Sequence, residues 1–148
     1  MPSDVKLFKK EGVWDIDFEN GDIALTNGLD TALYMSIFCH ARATADEVAD
    51  VLQRRGHFSD IFNNVEGRQV GSKVWLYSEK VANTEQNAEL IKIACKDGIQ
   101  WLVDDNIIES FNIDITRAIS HIEIDITLKI TKTESLYTQA FINTFNGN

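Results

Sequence analysis

Positive charge is scarce in this sequence. Its 14 Lys and Arg face 23 Asp and Glu, so the formal net charge is -9 and the pI is near 4.7. Nucleic-acid affinity depends on Lys and Arg displacing condensed counterions, so neither a phosphate-tracking surface nor a nucleic-acid partner is expected. Long apolar runs are missing too: nowhere do the about 18 consecutive apolar residues of a membrane span occur. The start, MPSDVKLFKKEG, carries charges with no apolar stretch behind them. The expectation is a protein made in the cytosol, with no membrane partner.

Cysteine and histidine are sparse as well. Cys39, in SIFCHA, and Cys95, in KIACKDG, sit in apolar helical stretches without a C-x-x-C pairing, which predicts core thiols. His40, His57 and His121 are scattered, and none joins an H-x3-H or H-E-x-x-H arrangement, so no metal site is expected. The short signatures of a nucleophile elbow, a P-loop and a dinucleotide-binding turn are all missing. With 23 acidic residues, carboxylate pairs arise by chance and do not indicate glycoside hydrolysis. His57 and Asp60, in GHFSDIF, are the only His-acid neighbours in a loop, and they read as a structural histidine beside a capping carboxylate. No catalytic residue, cofactor or metal is expected.

What is present is a chain of 148 residues, the size of one globular domain, with alternating and helical apolar patterns. VWDIDFENGDIAL sets Trp14, Ile16 and Phe18 against Asp15, Asp17 and Glu19, turns at Asn20-Gly21 and resumes with Ile23 and Leu25, predicting a β-hairpin with one buried face. LDTALYMSIFCHAR then places Leu29, Leu33 and Ile37 at helical spacing, with Tyr34 and Phe38 on a neighbouring line. Such a helix, apolar nearly all round, is buried on two sides or covered by a partner subunit. Residues 43–71 mix glycines, aromatics and charge without a clear period and read as a long structured loop, with at most a short helix in ATADEVADVLQ.

The strongest helix lies in TEQNAELIKIACKDGIQWLVDDN. Ile91, Ala94, Cys95, Gly98 and Leu102 mark one face, Glu85, Glu89, Lys92 and Lys96 the other, and Thr84 is the candidate N-cap. Gly98 costs roughly 1 kcal/mol relative to Ala in a helix, which points to a close contact where no side chain fits. In the last third Phe111, Ile113 and Ile115 alternate in one strand and Ile122, Ile124, Ile126, Leu128 and Ile130 in the next, joined around 117–120. The whole predicts an α+β class, a two-layer single domain with antiparallel β-hairpins packed on two main helices. It spans 1–132, followed by a C-terminal segment, 133–148, read as a strand or helix packed on its own core or given to a neighbouring subunit. Tyr137, Phe141 and Phe145 recur there at a spacing that suits one face of a helix or of a strand.

RRGHFSD, GSKVWLYSEK and ACKDGIQWLVDDNI, in that order and spacing, resemble the Mu-type phage tail protein family of baseplate wedge components. In that family the first signature reads Arg-Arg-Gly, two tryptophans, Gly and Asp; His57, Phe58 and Ser59 replace its middle, and Asp60 remains. Gly71, Ser72, Trp75 and Leu76 fit the second signature, and Trp101, Leu102 and Val103, followed by two acids, fit the third.

The resemblance implies a structural subunit of a contractile phage tail, present as a ring of copies in the virion's baseplate. There it would meet other wedge proteins, the sheath protein and tube or hub proteins, and start sheath assembly. Sheath subunits in such tails exchange terminal strands, which makes Tyr137, Phe141 and Phe145 the expected sheath-facing anchor. Trp75, Trp101, Gly71, Ser72 and Leu102 are expected in core or wedge-facing packing. The alternatives are a tail-associated cell-wall glycan hydrolase, which would require an acid and nucleophile pair, and a tail assembly chaperone, which would leave before the particle matures.

Overall fold

The computed structural model describes residues 4–11, 13–26, 29–62, 65–78, 84–119, 121–130 and 136–144. It divides into two compact units, Met1–Met35 and Ser36–Asn148, and the division falls inside the first helix. Its class is that of a small α+β protein, as the pattern of hairpins and helices predicts.

The first unit is a ribbon of short strands: β1 (Asp4–Val5), β2 (Leu7–Lys10), β3 (Val13–Ile16), β4 (Phe18–Glu19), β5 (Asp22–Ile23) and β6 (Leu25–Thr26). They pair antiparallel as β1 with β6, β2 with β3 and β4 with β5. The three pairs meet where Lys6 N–H donates to Ala24 O at 2.9 Å, Asp17 N–H to Lys6 O at 3.0 Å and Ala24 N–H to Asp17 O at 2.9 Å. Asn20 and Gly21, with φ of 54° and 84°, make the left-handed two-residue turn whose twist suits a tight hairpin.

The hairpin at Asn20-Gly21 is therefore present, but its apolar face is not buried. Val13 is 68% exposed and Phe18 67%, and Trp14, Ile16, Ile23 and Leu25 are exposed as well. Strand alternation specifies two faces without specifying a cover for either. The ribbon is tied to the start of the helix that follows, α1 (Asp30–Phe38), by Thr31 Oγ1, which donates to Val5 O at 2.5 Å. The Trp14 and Tyr34 rings add a tilted contact, 4.3 Å between centroids.

In the second unit, α1 ends at Phe38, short of the Arg42 that its periodicity would reach. Beyond it Ser72 N–H donates to Cys39 O at 3.0 Å and Ala41 N–H to Ser72 O at 3.1 Å, a parallel bridge that takes the backbone groups a further helical turn would need. Cys39 therefore lies outside the helix and is only half-buried, whereas Cys95 is fully buried. The described residues of 43–71 form the expected structured loop, with two short 3-10 turns at Val51–Gln53 and Phe58–Phe62.

Two further helices follow, α2 (Val74–Ser78) and α3 (Glu85–Asp104). Thr84 caps α3 as predicted, its side chain accepting from Asn87 N–H at 3.2 Å. Ala88, Ile91, Ala94, Cys95, Gly98, Ile99 and Leu102 form its buried stripe. It packs against α2 and against the first strand of a three-stranded antiparallel sheet, β7 (Ser110–Arg117), β8 (His121–Lys129) and β9 (Leu136–Thr144), in the order β7-β8-β9. Ile113, Ile122, Ile124, Ile126 and Leu128 are fully buried on one face, while Glu123, Asp125 and Thr127 are half-buried on the other. Within the C-terminal segment, residues 136–144 form a strand paired with β8 along its length.

Candidate interaction surface

The three sequence signatures lie in the second unit, and backbone packing brings the second and third of them together at the end of α1. Gly71 has φ 87°, and a Cβ there would lie 2.1 Å from Cys39 O. At Gly98 a Cβ would lie 2.5 Å from Ser36 O and 2.9 Å from Ser72 Cβ. The end of α1, the segment at 71–72 and the middle of α3 thus approach to backbone distance, which only glycine permits. The close contact inferred for Gly98 is confirmed, and its partners are Ser36 and Ser72. Buried Ser72 completes the joint: its Oγ donates to Ile37 O at 2.5 Å and accepts from Val74 N–H at 3.1 Å, at the start of α2.

Trp75, on α2, is 5% exposed and donates through Nε1 to Ala41 O at 3.0 Å, within a cluster of Ala43, Val48 and Leu76. Trp101, on α3, is half-buried and donates through Nε1 to Ser36 Oγ at 2.9 Å. Leu102 is fully buried. These positions hold core packing. The Arg55 guanidinium lies 4.3 Å from the Trp75 ring centroid, so the first signature rests on the second. Arg68 bonds Asp105 at 2.8 Å beside Trp101.

This framework supports a loop whose apolar side chains point to solvent. Leu52 is 90% exposed, Ile61 82%, Phe62 77% and Phe58 74%, with Val51 and Val65 also exposed. A loose loop would fold such residues inward, and here the backbone is braced against that. Arg54 donates from Nε to Val48 O at 2.7 Å and from a terminal nitrogen to Ala49 O at 2.9 Å. Arg42 donates to Arg55 O at 2.9 Å, and Ala43 N–H to Arg54 O at 2.9 Å. Asp60 accepts from Val70 N–H at 2.8 Å, and Asp50 from Leu52 N–H at 3.0 Å. Gly56, with φ 119°, turns the chain between the arginines and the aromatic segment.

The His57-Asp60 pair belongs to this bracing. His57 Nδ1 lies 2.6 Å from Ser59 Oγ, while the Asp60 carboxylate is occupied by Val70, so the acid does not orient the imidazole. An open cleft of about 370 Å³ lies between the loop and α3, lined among others by Arg42, Glu47, Lys73, Tyr77 and Asp97. Within it Lys73 Nζ bonds Glu47 at 2.8 Å. Burial acts to raise the Glu47 pKa, but the hydrogen bonds from Lys73 and Thr44 outweigh it and hold the carboxyl below its ordinary value. Burial pushes the Cys95 thiol up to about 12, which makes it inert at neutral pH. Among the described residues no group of three or more His, Cys, Asp or Glu could hold a metal ion, and no helix is long and apolar enough to cross a membrane.

Of the anticipated anchor residues, Tyr137 stands opposite Leu128 and Phe141 opposite Ile124, two positions whose β8 side chains are buried. Phe145 lies outside the described residues. Sequence reasoning missed the outward loop. Its signal was the density of Val51, Leu52, Phe58, Ile61, Phe62 and Val65 in a stretch without period. It also missed Asn87, 1% exposed, whose Nδ2 donates to Tyr77 O at 2.8 Å and joins α3 to α2.

Fold and surface together define a small α+β protein with exposed apolar side chains on a hydrogen-bonded loop. The chain belongs to the family described as Phage protein GP46, whose model matches residues 29–135, from the start of α1 to beyond β8. It is a phage protein. The match includes Gly71, Ser72, Trp75, Trp101 and Leu102 and leaves out the ribbon and β9. No curated protein matches the chain.

Proposed function

We propose that this phage protein is a structural subunit of the baseplate wedge of a contractile tail. It joins wedge and tube to the first sheath ring and templates sheath assembly without bond chemistry. The observation that carries the reading is the braced loop: Leu52, Phe58, Ile61 and Phe62 are held outward by hydrogen bonds that fix the loop before any partner arrives. Rigid apolar anchors lose little conformational entropy on docking, and that suits a part assembled once and kept. The signatures that resemble those of tail wedge components lie in and under this loop, and membership of a phage family agrees with the setting. Other wedge proteins are the partners for the loop. The C-terminal segment that holds Tyr137, Phe141 and Phe145 is the element offered toward the sheath, where an added strand gains main-chain hydrogen bonds.

The test is quantitative mass spectrometry of purified mature tails, comparing this chain with the sheath and tube proteins. A small fixed copy number, equal to one ring or a few, is expected. Absence from mature tails overturns the wedge reading and favours an assembly chaperone.

A further inference from the structure

The ribbon of the first unit carries a second surface, whose charge differs from that of the loop. From Val13 to Leu25 there are four carboxylates, Asp15, Asp17, Glu19 and Asp22, and no Lys or Arg. Asp17 is engaged by Lys6 Nζ at 2.8 Å, while Asp15, Glu19 and Asp22 are exposed. Among them stand the exposed side chains of Val13, Ile16, Phe18, Ile23 and Leu25.

The β4–β5 arm concentrates both properties. Phe18 pairs with Ile23, and Glu19 directly opposes Asp22. Cross-strand partners share a face, so the arm presents an apolar pair on one side and two carboxylates on the other. Like charges in direct opposition disfavour a strand pair, and cations brought by a partner would relieve the repulsion. The arm is held ready by its tight turn and by the backbone bonds among Lys6, Asp17 and Ala24, which lowers the entropy cost of binding.

We propose that this arm docks into an apolar groove walled by Lys and Arg on a different protein of the same phage. Charge selects the occupant. Nucleic acid and anionic lipid repel the arm, and the same arm of a second copy would set carboxylates against carboxylates. A second copy as a whole, at formal net charge -9, is also a poor match. The inference goes beyond the wedge reading and does not depend on the chain's remaining in the mature tail.

The experiment places a photo-cross-linking phenylalanine analogue at position 18 of the full chain in phage-producing cells, then identifies the cross-linked peptide. Expected is one phage protein, joined through a peptide that combines apolar residues with Lys or Arg. The double substitution Glu19→Lys and Asp22→Lys should lower the yield at least about tenfold. Exchanging the partner's Lys or Arg for Glu should restore it. The milder Glu19→Gln and Asp22→Asn pair, which removes the repulsion and preserves the hairpin, should lower the yield by a smaller factor and guards against misfolding. Cross-links only to this chain, no cross-link, or a yield indifferent to charge reversal overturns the proposal. Because the readout is taken in cells, the tail copy number and the cross-link can fail separately.

Discussion

The ribbon of residues 4–26 and the sheet of β7, β8 and β9 are built from the same kind of strand and end in opposite states. In β8, Ile122, Ile124, Ile126 and Leu128 are fully buried, and acids alternate with them in HIEIDITLK. In the ribbon, acids alternate in the same manner with Trp14, Ile16 and Phe18, and these side chains stay partly or largely exposed, Trp14 resting on Tyr34. The sheet has a 20-residue amphipathic helix packed against its first strand. The ribbon is held instead by backbone hydrogen bonds, a tight turn, an ion pair between Lys6 and Asp17 and the contacts of Thr31 and Tyr34 with Val5 and Trp14. Apolar alternation thus prepares a surface for covering, and the cover comes from elsewhere in the chain or from another protein.

The largest expected effect sets two glycines of the same backbone sign against each other. At Gly71 an added Cβ would meet a carbonyl, whereas at Gly21 nothing lies within 4 Å. Gly71→Ala should therefore cost at least about 3 kcal/mol, through overpacking and left-handed strain combined. Gly21→Ala should cost only about 1–2 kcal/mol, from strain alone. Thermal unfolding of the two variants checks this, and equal losses would break the contrast. Next, Ile124→Ala should cost about 2–5 kcal/mol and Phe18→Ala less than about 0.5 kcal/mol, by denaturant titration. A comparable loss at Phe18 would mean that the ribbon face is covered within the free protein.

The smallest effect concerns Glu47 in the body. Its folded pKa lies below the ordinary value of 4.5, so the stability it contributes is present above that value and is lost as pH falls through the depressed one. Glu47→Gln should lower stability by under about 1 kcal/mol at neutral pH, and the difference from the parent should vanish once the pH has fallen below the depressed value. Denaturant titrations across that pH range measure it. Asp17 in the ribbon is depressed in the same direction, first by its hydrogen bond from Lys6.

Much of the body was legible because its signals are local. The stripe from Ala88 to Leu102, the Thr84 cap and the alternation of β8 each depend on neighbours a few residues away, and each appears where the pattern puts it. The end of α1 was not legible, since Ser72 captures Cys39 and Ala41 from more than thirty residues along the chain. Nor could alternation report that the first hairpin lacks a cover. Of the surface, the signatures indicated Gly71, Ser72 and Trp75, but the outward aim of Phe58, Ile61 and Phe62 depends on bracing by Arg42 and Arg54 and by the Asp60 carboxylate. Those bonds run to carbonyls and N–H groups, which every residue carries, so residue identity gives no hint of them.

The joint at Gly71 and Gly98 limits how this protein can change. Where two side chains meet, an enlargement on one can be offset by trimming the other, and a core drifts through such compensating pairs. At Gly71 the opposing atom is the carbonyl oxygen of Cys39, and at Gly98 that of Ser36. A carbonyl cannot be trimmed by any codon, so exchanging a facing side chain does not remove the clash with the backbone oxygen. The loop, the ribbon and the outer helix faces are open to redesign for new partners, whereas these two positions form a fixed pivot that a redesign must leave untouched.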